Sequence, residues 1–158
     1  MADEYILSDD LLRQLISVGE VDILVGIHTH NHAKTIAHVV QVIREGLLKY
    51  FPRERVAILN PDGGSTDGTP DLVRAAAIND VRNASSFEAL RTMHCVSSQY
   101  ADSPSNGTAM HIVSAAADLL RAKACAVIAP ESSEIQPEWI DHLVRPIYRE
   151  HADLVTPV

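Results

Sequence analysis

The chain has 158 residues, a length that fits one domain, and its 46% hydrophobic and 22% charged residues are ordinary for a globular protein. Its 13 basic and 21 acidic residues give a formal charge of −8, which argues against a nucleic-acid partner because phosphates would be repelled. The first residues lack the pattern of a signal peptide, no apolar run approaches the roughly 18 residues of a membrane span, and only two cysteines occur, so we expect a soluble cytoplasmic protein.

Helical and extended patterns alternate along the chain. Helical spacing of apolar residues occurs at 11–16, 36–47, 70–77, 109–120 and 137–147, with Ser8 as the expected cap of the first helix. Short apolar runs typical of strands buried on both faces lie at 21–27, 56–59 and 124–129, with further strands expected near 94–97 and 153–158. This alternation predicts one α/β domain over residues 1–158, a Rossmann-like and mostly parallel sheet with flanking helices.

Polar segments follow three of the predicted strands. They are residues 28–32 after the first, 60–64 after the second and 129–132 after the strand at 124–129. In parallel α/β sheets, ligands bind outside the carboxyl ends of the strands. The sequence therefore predicts that these three segments converge on one binding cleft.

The most informative of them is the run Asp62-Gly63-Gly64-Ser65-Thr66-Asp67-Gly68-Thr69. Its glycines permit close approach of a ligand to the backbone, and Thr69 with Pro70 is typical of a helix start. Asp67 is expected to accept hydrogen bonds from backbone N–H groups of the turn. The glycine fingerprints of dinucleotide and P-loop sites are absent, and the Asp62–Asp67 segment does not fit a calcium loop.

With these motifs the chain resembles the family 2 type of GT-A nucleotide-sugar glycosyltransferases, closest to the branch of glucosyl-3-phosphoglycerate and mannosylglycerate synthases. The matching segments are Val25–His32, which is similar to a strand followed by a T-Y-N-like turn, Asp62–Thr69, similar to D-G-S-x-D-x-T, Ser105–Ala109, similar to G-K-G-x-A, and Pro137–Ile140.

The resemblance implies a nucleotide site on particular residues of this chain. Asp62 would accept a hydrogen bond from the base, most simply uracil, while Thr29 and Asn31 would flank base and ribose. The other implied nucleotide contacts are Gly63, Gly64, Ser65 and Asn106. Glu131 would be the remaining carboxylate of a D-x-D metal motif, giving a weak Mg²⁺ or Mn²⁺ site.

Two departures from the family pattern limit what the resemblance implies. Asn106 stands where the family has a phosphate-contacting lysine, and Ala129 stands where it has the first carboxylate of D-x-D. We expect the chain to be the nucleotide-binding, N-terminal part of a longer enzyme that transfers a hexose from UDP or GDP to a small acceptor such as a glycerate derivative. Alone, the chain is expected to be inactive, because positioning and electrostatic groups are missing.

Two alternatives stay open. One is a non-catalytic GT-A-like binding or regulatory domain, which the two substitutions would suit. The other is a small metal-dependent hydrolase built on His28, His30 and His32, because alternate residues of an extended segment share a face.

Overall fold

The computed structural model describes residues 7–83, 93–99, 106–131 and 134–148. Its helices are α1 (Asp9–Val18), α2 (Ile36–Tyr50), α3 (Thr69–Asn83), α4 (Asn106–Leu119) and α5 (Pro137–Tyr148), and its strands are β1 (Ile23–Gly26), β2 (Val56–Asp62), β3 (Met93–Gln99) and β4 (Ala124–Val127). The strand predicted at 153–158 lies outside the described residues. In the described ranges, no helix combines the length and the apolar character needed to cross a membrane.

The four strands form one parallel sheet in the order β3-β2-β1-β4. The chain moves from β1 through β2 to β3 and then returns across the sheet to place β4 on the other side of β1. The predicted Rossmann-like α/β architecture is thus confirmed, and the strand order reverses between β1 and β4.

Helices cover both faces of the sheet because the strand side chains alternate in direction. Ile23 and Val25 of β1 belong to a core that is shared with α2, α3 and α5. Leu24 belongs to a second core, which is shared with α1 and α4. Burial on both faces explains why β1 and the first part of β2 are almost entirely apolar.

The end of β2 and the start of α4 are among the element boundaries that differ from the sequence prediction. Strand β2 continues through Pro61 to Asp62. Pro61 lacks an N–H, but its carbonyl still accepts a hydrogen bond from the Thr29 amide at 3.1 Å. Helix α4 begins at Asn106, three residues before the helical spacing predicted at 109–120. The predicted Ser8 cap is confirmed, since its hydroxyl accepts a hydrogen bond from the Leu11 amide at 3.1 Å.

Two glycines allow backbone and side chains to approach closely. A Cβ at Gly46 of α2 would lie 2.7 Å from Ile140 Cγ1 and from the Pro137 carbonyl oxygen, so Gly46 sets the distance between α2 and α5. A Cβ at Gly26 would lie 2.7 Å from Val113 Cγ2. Gly26 therefore lets α4 pack directly over the carboxyl end of β1.

Candidate functional site

The site is built from the segments that follow β1, β2 and β4, here called the β1 loop (residues 27–35), the β2 loop (63–68) and the β4 loop (128–131). All three lie at the carboxyl edge of the parallel sheet, as predicted. The β1 and β2 loops are joined by backbone contacts first: Thr29 forms an isolated parallel bridge with Asp62, and the Gly63 amide donates to the Thr29 carbonyl at 2.8 Å.

Asp62 is the centre of the contacts between these two loops. It is only 1% exposed, and its carboxylate accepts four hydrogen bonds. Oδ1 accepts from the hydroxyls of Thr29 at 2.7 Å and Ser65 at 2.6 Å. Oδ2 accepts from the amides of Gly64 at 3.1 Å and Ser65 at 2.8 Å. An ionised carboxylate offers about four acceptor positions, so these four hydrogen bonds occupy all of them. Asp62 thereby holds the start of the β2 loop in place.

Asn31 fixes the outer part of the same two loops. Its φ of 56° lies in the left-handed region, which asparagine adopts more readily than most residues. Its backbone amide donates to Ser65 Oγ at 2.8 Å, and its side-chain Oδ1 accepts from the backbone amide of Thr66 at 2.8 Å. Asn31 is exposed between the half-buried His30 and His32, and its side-chain oxygen bonds to the protein.

Asp67 and Thr69 form the third junction. The Asp67 carboxylate accepts from the amides of Ala33 and Thr69, both at 3.1 Å, and from the Thr69 hydroxyl. Thr69 Oγ1 in turn accepts from the His32 amide at 3.0 Å. These bonds confirm the predicted structural role of Asp67 in the turn. The hydroxyl of Thr69 is the largest cause of the lowered pKa of Asp67, which is below its ordinary value of 3.8; burial raises that pKa, and the amides of Ala33 and Thr69 lower it further.

A buried polar chain lies beneath the loops. Asn60 is fully buried, and its Nδ2 donates to the Ile27 carbonyl at 2.8 Å and to Thr29 Oγ1 at 2.9 Å. Its Oδ1 accepts from Ser97 Oγ at 2.8 Å. The hydrogen bonds from Ser97 through Asn60 and Thr29 to Asp62 link β3 and β2 to the β1 loop. Sequence reasoning missed it, although a polar residue directly after an apolar strand run was a usable signal.

The β1 loop is also joined to the β4 loop. Thr35 Oγ1 donates to the Pro130 carbonyl at 2.8 Å, and His32 Nε2 lies 3.2 Å from Glu131 Oε2. His32 Nδ1 accepts from the His30 amide at 2.9 Å, so a neutral His32 ring carries its proton on Nε2, the nitrogen next to Glu131. His32 thus fixes a carboxylate at the end of β4.

A pocket of about 580 Å³ opens at the point where the strand order reverses. It is lined by His28 and His32 of the β1 loop, by Ala109, Met110 and Val113 of α4, and by residues 127–131. The β1 and β4 loops both lead to helices, α2 and α5, on the sheet face that carries Ile23 and Val25. Helix α4 lies on the opposite face, which carries Leu24. The pocket lies between α4 and these loops, and it leaves Val127 of β4 44% exposed.

The structure separates the predicted site residues into two groups. Glu131 lines the pocket, together with His28 and His32. Six other predicted residues lie in the β1 loop, at the end of β2 or in the β2 loop: Thr29, Asn31, Asp62, Gly63, Gly64 and Ser65. Asn106 is the first residue of α4, and its side chain is not among those described. None of these six is part of the pocket lining. Their nucleotide contacts stay predictions.

The described residues offer little for a metal ion. No group of three or more His, Cys, Asp or Glu side chains among them is arranged to hold one. His28, His30 and His32 do not form such a group, and His30 Nδ1 lies 3.0 Å from the Gly63 carbonyl oxygen. The hydrolase alternative stays a prediction. Glu131 alone supplies one hard oxygen ligand at the predicted place. A Mg²⁺ or Mn²⁺ ion there would have to take most of its ligands from bound phosphates and water.

The two cysteines have unreactive thiols. Burial raises the pKa of Cys95 and of Cys125 to about 11. At neutral pH both are thiols rather than thiolates, so neither is a nucleophile at this edge of the sheet. Cys125 packs against the second core.

Comparison of the chain with models of known protein families and with curated proteins finds no match.

Proposed function

We propose that this chain binds a nucleotide sugar, a UDP- or GDP-hexose, at the carboxyl edge of its sheet, as the donor-binding part of a hexosyltransferase. The observation that carries the proposal is the position of the pocket, which opens where the strand order reverses and adjoins the joined β1 and β2 loops. Ligands of open parallel α/β sheets bind at this position. Two of the segments that resemble the GT-A family, residues 28–32 and 62–69, follow β1 and β2 at this edge.

Base recognition is assigned to Asp62. In the free protein its Oδ1 accepts from the hydroxyl of Ser65, a half-buried group that also accepts from the Asn31 amide. We propose that the imide N–H of uracil takes the place of the Ser65 hydroxyl at Oδ1, while the backbone amides of Gly64 and Ser65 hold Oδ2. The carboxylate would then need no movement to receive the base.

Calorimetric titration with UDP, UDP-glucose and GDP-mannose, with and without Mn²⁺, tests the proposal. Asp62→Asn should weaken UDP binding about tenfold or more, the cost of a hydrogen bond to a charged group. Ser65→Ala should bind UDP at least as tightly as the unaltered chain, because it removes the competing donor. Asp71→Asn, an exposed carboxylate on α3, is the matched control and should leave UDP affinity unchanged. The proposal fails if none of the three nucleotides binds, or if Asp62→Asn and the control behave alike.

The non-catalytic alternative has an observation of its own. Ala129 occupies the position of the first metal carboxylate, and Glu131 is already in contact with His32. Neutralising a departing diphosphate would therefore rest on one carboxylate-bound cation. A sugar-transfer assay with both nucleotide sugars, 3-phosphoglycerate and Mn²⁺ separates the two readings: nucleotide binding without product favours a binding domain, and product formation favours a transferase.

A further inference from the structure

The pocket differs from the joined loops in chemistry. Seven of the side chains that line it are apolar, among them Met110, Val113 and Ile128. Its polar groups are two imidazoles, of His28 and His32, and the carboxylate of Glu131. None of the described residues lining it is lysine or arginine. The pocket therefore combines an apolar wall with a negative charge and supplies no fixed positive charge.

The Glu131 carboxylate has a defined place in this arrangement. Its Oε2 lies 3.2 Å from His32 Nε2, and His32 is held in turn by the amide of His30 on its other ring nitrogen. The Thr35 hydroxyl also donates to the carbonyl of Pro130, the lining residue that precedes Glu131. A ligand that enters the pocket meets a positioned acceptor rather than a freely rotating side chain.

We propose that this pocket binds a group that is uncharged and hydroxylated or is positively charged, with an apolar body against α4, and that it discriminates against anions. An ammonium or hydroxyl group can donate to Glu131, whereas a carboxylate or phosphate would meet the carboxylate and the chain's overall charge of −8. The diphosphate of a nucleotide would accordingly lie outside the pocket, towards the β1 and β2 loops. The inference goes beyond nucleotide binding and does not depend on it.

The methyl group of Met110 can report on binding in the pocket. The chain contains three methionines, and Met110 lines the pocket. Labelling methionine methyl groups with ¹³C gives three signals, and Met110→Leu, which conserves side-chain volume, assigns that of Met110. Displacement of this signal on addition of a probe reports occupancy of the pocket.

Three small probes share one apolar body and differ in charge: cyclohexylmethylamine, cyclohexylmethanol and cyclohexanecarboxylate. At about pH 8, where an ordinary imidazole is neutral, the amine and the alcohol should shift the Met110 signal with dissociation constants on the order of 1–10 mM. The carboxylate should bind at least about fivefold more weakly than the amine, a modest factor because Glu131 is 66% exposed. About 0.5 M NaCl should reduce the difference by screening.

Two variants complete the test. Glu131→Gln should bring amine and carboxylate within about twofold of each other, and Glu45→Gln, an exposed carboxylate far along α2, should leave the fivefold difference intact. Val113→Phe should abolish all three responses by filling the pocket. If that variant does not fold, Glu131→Gln still tests the inference, because it alters an exposed side chain. Equal or tighter binding of the carboxylate by the unaltered chain, or no response of the Met110 signal to any probe, would overturn the inference. Nucleotide calorimetry is independent of these probes, which carry neither base nor phosphate.

Discussion

His32 Nε2 lies 3.2 Å from Glu131 Oε2, and this contact joins the segment after the first strand to the segment after the last one in the sheet. The backbone amide of the same histidine donates to Thr69 Oγ1 at 3.0 Å, on the opposite side of the site. One residue thus connects the start of α3, next to the β2 loop, to the pocket. The side chains at this edge are organised around the β1 loop rather than around the glycine-rich β2 loop.

The two neighbouring histidines of the β1 loop should hold their protons on opposite ring nitrogens. His30 Nδ1 lies 3.0 Å from the Gly63 carbonyl, which can only accept, whereas His32 Nδ1 accepts from an amide. In the neutral rings, His30 should therefore be protonated on Nδ1 and His32 on Nε2. Long-range ¹H–¹⁵N correlation spectra at about pH 8 distinguish the tautomers. The same tautomer at both positions would contradict the loop geometry.

Asp62→Asn should destabilise the fold as well as affect ligand binding. The substitution places an amide NH₂ where one carboxylate oxygen accepts two hydrogen bonds in a nearly fully buried position. We expect a loss of about 2–4 kcal/mol in the free energy of unfolding, measured by urea denaturation. Asp71→Asn, whose side chain is 85% exposed, should change it by less than about 0.5 kcal/mol. Comparable stabilities of the two variants would mean that Asp62 does not hold the loop.

Asp67 should contribute to stability in a defined pH range. Its pKa is lowered below 3.8 in the folded chain, first by the Thr69 hydroxyl, so the contribution is present above about pH 4 and is lost as the pH falls through the folded pKa. Carbon-detected NMR titration of the Asp67 carboxyl should give a midpoint below 3.8. Thr69→Val should raise that midpoint towards the ordinary value. A midpoint that Thr69→Val leaves unchanged would contradict the assigned cause.

Gly26 and Val113 should be energetically coupled. A Cβ at position 26 would lie 2.7 Å from Val113 Cγ2, so Gly26→Ala overpacks the junction of β1 and α4 and should cost about 1–3 kcal/mol. Val113→Ala alone should cost about 2 kcal/mol through the cavity it leaves. The double variant should be more stable than the sum of the two losses predicts, by about 1 kcal/mol or more. Strict additivity in urea denaturation would show that the two residues do not share this space.

The sheet and its helices were predictable because apolar periodicity is a local property of the sequence. Residues 23–26 and 56–59 are buried, and that burial is what their unbroken apolar character indicates. The convergence of three polar segments at one edge followed from the parallel topology alone. The role of Asp67 could also be inferred, since its main partner, Thr69, is two residues away.

The pocket and the partners of the loop side chains could not be predicted in this way. The contacts of Thr29 with Asp62 and of Thr35 with Pro130 join residues 33 and 95 positions apart, and nothing in either segment specifies the other. The pocket arises because Gly26 lets α4 pack closely over β1 while Val127 stays partly uncovered. Such features depend on tertiary packing, which a single sequence does not reveal by spacing or composition.

The central claim, nucleotide-sugar binding at the carboxyl edge of the sheet, is tested most directly by titrating the ¹⁵N-labelled chain with UDP-glucose and mapping the amide signals that move. We predict saturable shifts concentrated in residues 28–32, 62–66 and 128–131, with the amides of Gly64 and Ser65 among the largest because they adjoin Asp62. Asp62→Asn should weaken the response about tenfold. No saturable shift at millimolar UDP-glucose, or shifts confined to the opposite edge of the sheet, would contradict the claim.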